Sequence, residues 1–344
     1  MIILSWNCRG LGHTRAVPNF RELVRTHMPT LVFLSETLVL SNKVEEIRIY
    51  LGFDGAFSVN CDGRSGGLAV LWRYRDMCSI LNYSQNHIDM KLSESSYADW
   101  RLTGFYGFPE TTRRRQSWSL IRNLAATSTL PWCMIGDFND ILSHAEKRGH
   151  IAHPEWMIRG FREAINKSNL HDLPIQGHPF TWERHRGHIN SVEEQLDRAL
   201  ATAHWKSRFA QATLTNLLAS HSDHSPILLD TEPGGVQTAA WKFRFENRWL
   251  KEQELTDIVT GHWIYSGNQD MTGKLHHLST HLSSWIRRLN QDLKDRIAST
   301  KNMLESLRDK EDPTSLSRTQ ELRDTLSNLL AQHEAYWKQR AKQF

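Results

Sequence analysis

The chain has 344 residues, more than one small domain needs, so two structural units are the first expectation. Hydrophobic residues make up 39% of the chain and aromatic residues 10%, which excludes a chain that is disordered throughout. The net charge of +4 is compatible with a nucleic-acid partner without arguing for one, because basic surfaces are common.

Residues 1–232 alternate predicted strands with a few predicted helices. Apolar residues recur with helical spacing over 15–28 and 111–126, and the proline at 154 suits the first turn of another helix. Strand-like segments are predicted at 2–8, 31–34, 67–72, 78–83, 87–92, 100–106, 131–135, 180–182, 195–200, 213–217 and 226–229. Many of them are spaced like hairpin neighbours, which favours two packed sheets flanked by helices over one parallel sheet.

The segment 232–235, Glu-Pro-Gly-Gly, marks a boundary after which the composition changes. Heptad-like apolar spacing from 273 to 307 predicts a long helix, and Asp312 with Pro313 supplies the cap and first-turn proline of a second. We expect the two helices to cover each other's apolar stripes as an antiparallel hairpin, or to self-associate with another chain. The predicted organisation is a domain over 1–232, a linker over 233–272 and a helical tail over 273–344.

The first apolar run, residues 1–4, is too short for a signal peptide, and no stretch approaches the length of a membrane span. We therefore expect an intracellular protein without a membrane partner. The four cysteines (Cys8, Cys61, Cys78 and Cys133) are scattered and form no Cys-x-x-Cys pair, and no histidine–cysteine cluster suits zinc. We predict buried free thiols rather than disulfides or a zinc site.

Polar residues follow several predicted strands, where loops hold side chains on a rigid scaffold. Each one alone is as well explained by a solvated turn, an Asx turn or a half-buried strand residue. Together they supply what hydrolysis of a phosphate diester requires: hard oxygen ligands for Mg²⁺, a carboxylate that activates water, and a histidine that meets the developing charge. In chain order they are Asn7, Glu36, Tyr106, Asp137, Asn139, Asp197, Asp223 and His224.

The motifs around these residues resemble the endonuclease/exonuclease/phosphatase superfamily, which includes deoxyribonuclease I and the apurinic endonucleases. The resemblance covers about residues 1–232 and implies a four-layer α/β-sandwich, followed here by the helical tail, with the active site at one end of two packed mixed sheets. It rests on an ordered set of blocks: Ser5-Trp6-Asn7-Cys8-Arg9-Gly10, Leu34-Ser35-Glu36-Thr37, Gly66-Gly67-Leu68-Ala69-Val70-Leu71-Trp72, Tyr106-Gly107, Ile135-Gly136-Asp137-Phe138-Asn139, Phe180-Thr181-Trp182, Leu196-Asp197-Arg198 and Ser222-Asp223-His224.

The resemblance also implies a role for each residue. Asn7 and Glu36 are expected at a Mg²⁺ ion, for which Mn²⁺ is a substitute, and Asp223 completes the acidic surroundings. The remaining roles belong to catalysis: Asp137 positions the attacking water, Asn139 binds the phosphate, Tyr106 hydrogen-bonds near it, and Asp197 holds His224.

Weaker expectations concern contact with DNA. The resemblance implies a place for Thr181 near a DNA-facing rim. Trp182 and the basic run Arg113, Arg114 and Arg115 suit stacking on a base or tracking a DNA backbone. The arginines are equally well explained as the exposed first turns of a helix.

A finer resemblance is to plant LINE-type non-LTR retrotransposons. Residues 243–249 are similar to the segment that leaves their endonuclease domain, and residues 336–340 to the approach to their reverse transcriptase. No Tyr-x-Asp-Asp polymerase motif is present, so we expect an element truncated before the reverse transcriptase or domesticated.

The implied function is a Mg²⁺-dependent DNA endonuclease that nicks one strand, leaving 3′-hydroxyl and 5′-phosphate ends, and that acts in the nucleus. Three alternatives stay open. Two keep the fold and the chemistry: an apurinic-site endonuclease, and a phosphatase acting on phosphoinositides or a sphingomyelinase. The third is a non-catalytic remnant that acts only as a binding or interaction protein.

Overall fold

A computed structural model describes residues 1–13, 15–63, 65–94, 97–184, 190–218, 222–233, 253–265, 270–310 and 312–341. Residues 243–249, which carry part of the similarity to LINE proteins, lie outside these ranges. The chain divides into two compact units, one made of residues 1–235 with 307–319 and the other of 236–306 with 320–344.

The first unit contains two large mixed sheets and one small sheet. The seven-stranded sheet has the spatial order β11 (Ile175–Gln176), β15 (Thr213–Asn216), β16 (Ile227–Asp230), β1 (Ile2–Asn7), β2 (Leu31–Ser35), β4 (Leu68–Trp72) and β3 (Gly55–Val59). The six-stranded sheet has the order β10 (Leu170–Asp172), β14 (Asp197–Thr202), β8 (Trp132–Asp137), β7 (Tyr97–Tyr106), β6 (His87–Glu94) and β5 (Cys78–Ser84). The small sheet is formed by β12 (Trp182–Arg184), β13 (Val192–Glu194) and β9 (Lys147–Arg148).

The central strands are buried on both faces, which explains their continuous apolar sequences. Successive side chains of a strand point to opposite faces. Ile3 and Phe33 therefore join the core between the two sheets, whereas Leu4 and Leu34 pack beneath helices on the outer face of the seven-stranded sheet. The seven-stranded sheet is therefore packed on both faces, against the other sheet on one side and against helices on the other.

Helices form the two outer layers. α1 (Ala16–His27) and α2 (Ser41–Leu51) cover the seven-stranded sheet, and α3 (Arg114–Ala125) and α4 (Glu155–Lys167) cover the six-stranded sheet. A short α5 (Ala203–Arg208) follows β14. The order helices, sheet, sheet, helices confirms the predicted four-layer α/β-sandwich.

The second unit is helical in its described part. It contains α6 (Gln253–Tyr265), α7 (Met271–Ser306) and most of α8 (Pro313–Ala341). The segment 233–272, predicted as a linker, thus includes a helix. Leu255 of α6 packs against Leu282 and Trp285 of α7. The bounds of α7 and α8 agree with the two predicted helices, while their pairing as a hairpin stays a prediction.

None of the described helices is long and apolar enough to cross a membrane. All four cysteines are free thiols. Cys8 and Cys133 are buried as predicted, whereas Cys61 and Cys78 are only half-buried. Burial raises the pKa of the Cys8 thiol to about 12, so this cysteine is not a reactive thiolate at neutral pH.

Candidate active site

The strand-end residues meet because of how the strands are paired. β1 and β2 are parallel with Asn7 beside Ser35, so Asn7 and the following Glu36 leave the sheet at the same edge. β7 and β8 are parallel with Tyr106 beside Asp137, and Asp197 of the antiparallel β14 also lies opposite Asp137. Each register brings strand ends of one sheet to a common edge, and the hydrogen bond between Asn7 and Asp137 joins the two edges. Strand ends are a common place for ligand sites in open α/β sheets.

Asn7 connects the two sheets. It is buried, and its Nδ2 atom donates to Glu36 Oε1 at 2.9 Å and to Asp137 Oδ2 at 3.0 Å. The Tyr106 hydroxyl donates to the same Glu36 Oε1 at 2.9 Å. Burial and the nearby charges of Glu36 and Asp137 raise the pKa of Tyr106, so the phenol remains a neutral donor.

A tight turn after β8 fixes Asp137. The backbone N–H of Asn139 donates to Asp137 Oδ1 at 2.9 Å, and Asn139 Nδ2 donates to Asp137 Oδ2 at 3.2 Å and to the Gly107 carbonyl at 2.9 Å. Asn139 has a φ of 55°, a left-handed conformation that asparagine tolerates better than most residues. From the sequence, an Asx turn and a catalytic role were alternative interpretations of Asp137 and Asn139. The turn is present, and it is compatible with the catalytic role.

Gly107 belongs to the same turn for steric reasons. A Cβ atom at this position would lie 2.1 Å from the Phe138 carbonyl oxygen. Only glycine allows this close approach of the two backbones, which positions Tyr106 beside the segment that carries Asp137 and Asn139.

A buried chain of ionisable groups links Asp197, His224 and Asp137. His224 Nδ1 lies 2.8 Å from Asp197 Oδ2, and His224 Nε2 lies 3.8 Å from Asp137 Oδ2. Burial opposes the charge of His224, but the carboxylates of Asp197 and Asp137 outweigh it and raise the pKa of His224 to about 9. The imidazole is therefore protonated at neutral pH and donates from Nδ1 to Asp197.

Burial raises the pKa of Asp137, and the positive charge of His224 counteracts this effect. A carboxylate whose pKa is raised is a stronger base than an ordinary one, which suits a group that orients or deprotonates water.

Arg9, to which the sequence analysis gave no role, lies between two of the expected metal ligands. Its Nε atom is 2.9 Å from Asp223 Oδ1 and 3.5 Å from Glu36 Oε2. Asp223 also accepts a hydrogen bond from Trp182 Nε1 at 2.9 Å. Two carboxylates, one directly after β2 and one in the segment before β16, thus face a cation at this position. Its only signal in the sequence is its place two residues after Asn7.

Two further positioning residues were missed. The Ser222 hydroxyl donates to the Asn7 carbonyl at 2.8 Å and accepts from the His224 backbone N–H at 3.0 Å. Trp6 Nε1 donates to the His224 carbonyl at 3.1 Å. Ser222 has a φ of 136°, and strained backbone of this kind often occurs at functional sites. Both residues lie inside the quoted motifs, but their partners are distant in sequence.

Thr181 is buried in the protein, and its expected place near a DNA-facing rim stays a prediction. Its side chain is 1% exposed, and its hydroxyl accepts from the backbone N–H groups of Leu196 and Asp197 at 3.0 and 2.9 Å. Its role in this geometry is to hold the start of β14. Trp182 is half-buried beside His224, with the two ring centroids 6.4 Å apart.

The three arginines of the basic run differ from one another. Arg114 is buried and donates to the Pro109 carbonyl at 3.1 Å, so it is not free to contact DNA. Arg113 and Arg115 are exposed. The guanidinium of Arg113 lies over the ring of Phe108, and that of Arg115 lies over the ring of Trp156. Exposure keeps these two available for a DNA backbone, which stays a prediction.

In the described part of the first unit, two groups of residues offer ligands for a metal ion. Asp137, Asp197 and His224 have ligand atoms within 4.8 Å of one another, all buried. His224, however, is protonated and engaged with Asp197, and a protonated imidazole does not bind a metal. The set of Asn7, Glu36 and Asp223 provides oxygen atoms only, which is what Mg²⁺ prefers.

Comparisons with known proteins bear on this arrangement. Residues 4–224 match the family described as the Endonuclease/Exonuclease/phosphatase family. A search of curated proteins found no match.

Several solved structures have a similar fold. A 3′ phosphatase from Neisseria, solved with a product DNA hairpin, has a TM-score of 0.53 and 18% identity over 67% of this chain and 99% of that chain. An AP endonuclease from Archaeoglobus fulgidus has a TM-score of 0.53 and 15% identity over 67% of this chain and 98% of that chain. The endonuclease domain of TRAS1, a telomere-specific non-LTR retrotransposon, has a TM-score of 0.50 and 12% identity over 68% of this chain and 99% of that chain.

Proposed function

Because the chain belongs to the Endonuclease/Exonuclease/phosphatase family, we propose that it is a Mg²⁺-dependent DNA endonuclease that nicks one strand by attack of water on the phosphate. The observation that carries this proposal is the buried hydrogen bond between His224 Nδ1 and Asp197. The other imidazole nitrogen of His224, Nε2, lies 3.8 Å from Asp137. A protonated imidazole beside a basic carboxylate provides an acid and a base within one site.

Each residue has a defined task in this proposal. Asp137 accepts a hydrogen bond from the attacking water and takes its proton. His224 Nε2 donates to a phosphoryl oxygen and stabilises the charge that develops there. Tyr106, kept neutral by its environment, donates to the same phosphate, and Asn139 contacts it. Asp197 maintains the charge and orientation of His224.

The oxygen set of Asn7, Glu36 and Asp223 fits Mg²⁺. The carboxylates of Glu36 and Asp223 both face the guanidinium of Arg9, so this position already accommodates a positive charge. A bound Mg²⁺ would neutralise charge on the phosphate and on the leaving oxygen. The same oxygen set would accept Mn²⁺.

DNA as the substrate is supported by the ordered motifs and by the exposed Arg113 and Arg115. Structural neighbours of less than 25% identity bear on the fold alone, so they do not choose among DNA, abasic DNA and a phosphoinositide. We further propose an origin in a LINE-type retrotransposon of plants, which would place the protein's action in the nucleus.

The test is a panel of substrates presented to the full chain in Mg²⁺ and in EDTA: supercoiled plasmid, a duplex with one abasic site, the matched intact duplex, and a phosphoinositide. We expect Mg²⁺-dependent conversion of plasmid to the nicked circle, with 3′-hydroxyl ends that a polymerase extends. Asp137→Ala is expected to abolish it.

Other outcomes separate the alternatives. Cleavage of the abasic duplex alone would identify apurinic DNA as the substrate. Cleavage of the phosphoinositide alone would identify a lipid as the substrate. A folded protein that cleaves none of the four would contradict the enzymatic proposal and leave the binding-protein alternative.

A further inference from the structure

Three histidines of the second unit, none of them close to the candidate active site in sequence, come together between α6 and α7. They are His262 of α6 and His277 and His281 of α7. Each offers one ring nitrogen, and these nitrogens lie within 4.8 Å of one another. The sequence offers no histidine–cysteine cluster for zinc, and this group of histidines alone was not among the predicted sites.

The α7 pair has the spacing of a metal-binding helix face. Residues four apart lie on the same side of a helix, one turn from each other. His277 Nε2 and His281 Nε2 are 3.2 Å apart. Zinc binds imidazole nitrogens at about 2.0–2.1 Å, so two ligands of a tetrahedral ion lie roughly 3.3 Å apart. The α7 pair already has this separation.

His262 approaches the pair from the other helix. Its ring stacks on that of His281 with centroids 3.7 Å apart and an interplanar angle of 14°, and its centroid is 5.6 Å from that of His277. Coordination lies in the plane of an imidazole, so the stacked pair must open by side-chain rotation to share one ion. All three side chains are half-buried, which leaves room for this rotation and access for an ion.

The surroundings do not commit the histidines to another role. Among the described residues, the buried Nδ1 atom of His277 has no hydrogen-bond partner.

We propose that His262, His277 and His281 form a transition-metal site that binds one Zn²⁺ ion, with water as the fourth ligand. Imidazole ligands select zinc and its neighbours in the first transition row over Mg²⁺, so this site is chemically distinct from the oxygen set of the first unit. The ion would link α6 to α7 and stabilise their pairing.

The experiment measures zinc in the full chain. Chelator-treated protein is equilibrated with limiting ZnCl₂ in excess Mg²⁺, and bound metal is counted by mass spectrometry. CoCl₂ is used in parallel, because tetrahedral cobalt has strong visible absorption. The variants His262→Phe and His281→Phe keep an aromatic ring for stacking but remove a ligand, and the exposed His171→Gln is the matched control.

We expect one ion per wild-type chain with a tetrahedral cobalt spectrum. Affinity should fall at least about 100-fold in both phenylalanine variants and stay unchanged in His171→Gln. Zinc that survives His281→Phe but is lost in Asp137→Asn would belong to the candidate active site and would overturn the proposal. So would the absence of bound zinc or cobalt in the folded wild type.

Discussion

Replacing Asp197 with asparagine tests the electrostatic core of the proposed mechanism. The substitution keeps the size of the side chain but removes the negative charge 2.8 Å from His224 Nδ1. The pKa of His224 is about 9 against an ordinary 6.5, a difference worth about 3 kcal/mol in favour of the protonated imidazole. Asp197 contributes more to this effect than Asp137, which lies farther away at 3.8 Å. The pKa of His224 should therefore fall markedly in Asp197→Asn.

The expected consequence is a rate defect that depends on pH. At pH 8 the nicking rate should fall by about 10²–10⁴-fold, the usual contribution of a positioned acid or base. At pH 6 the defect should be smaller, because a larger fraction of His224 is protonated there than at pH 8. DNA affinity, measured by fluorescence anisotropy in Ca²⁺, should change little, since Asp197 is buried away from solvent.

The assay is a pH–rate profile of plasmid nicking under single-turnover conditions. Asp99→Asn, which removes a partly exposed carboxylate from β7, is the control for loss of charge alone. Circular dichroism and urea unfolding establish that each variant is folded. A defect of equal size at pH 6 and pH 8 would refute the reasoning from the charge of His224, as would a rate within threefold of wild type.

Three further predictions concern neighbouring groups. In the presence of chelator, the free energy of unfolding should be higher for the wild type than for His224→Gln, and the difference should be largest below pH 6.5. This advantage should decline by about 3 kcal/mol as the pH rises to 9, because the folded state holds the proton more tightly; urea unfolding that shows no decline contradicts it. Thr181→Val should lower the free energy of unfolding by about 2–4 kcal/mol, because two buried N–H groups lose their acceptor, while Thr181→Ser stays near wild type. A valine variant that unfolds like wild type but binds DNA weakly would favour the rim position instead. Trp182→Phe removes the donor to Asp223 and should raise the Mg²⁺ concentration for half-maximal nicking at least about tenfold, and an unchanged Mg²⁺ titration would contradict this.

Most of the fold was predictable because its central strands carry strong patterns. β1, β2 and β8 are mostly apolar and buried on both faces, and each ends in a polar residue. α2 was missed because only Val44 and Ile47 of that helix are buried, which leaves too few apolar positions for a helical period. The short strands of the small sheet depend on pairing with distant segments and carry no pattern of their own.

The sequence predicted which residues lie together at the strand ends, but not the contacts among them. The eight strand-end residues form one connected set of hydrogen bonds and ion pairs, in which Arg9 joins Asp223 to Glu36. The direction of a side chain was the part that the sequence could not provide. Thr181 and Arg114 point inward, where the Thr181 hydroxyl accepts from a backbone N–H and the Arg114 guanidinium donates to a backbone carbonyl.

The three-histidine cluster shows the same limit. The spacing of His277 and His281 is visible in the sequence, but the third ligand, His262, depends on how α6 packs on α7. Self-association through the helices of the second unit is not tested by these contacts and stays a prediction.

The most direct test of the account is the initial rate of Mg²⁺-dependent nicking of supercoiled plasmid by the wild type, by His224→Gln and by the exposed control His171→Gln. The account predicts that wild type and control nick at the same rate, and that His224→Gln is slower by at least about 100-fold. Equal rates for all three folded proteins would contradict the assignment of His224 and Asp137 to the chemistry.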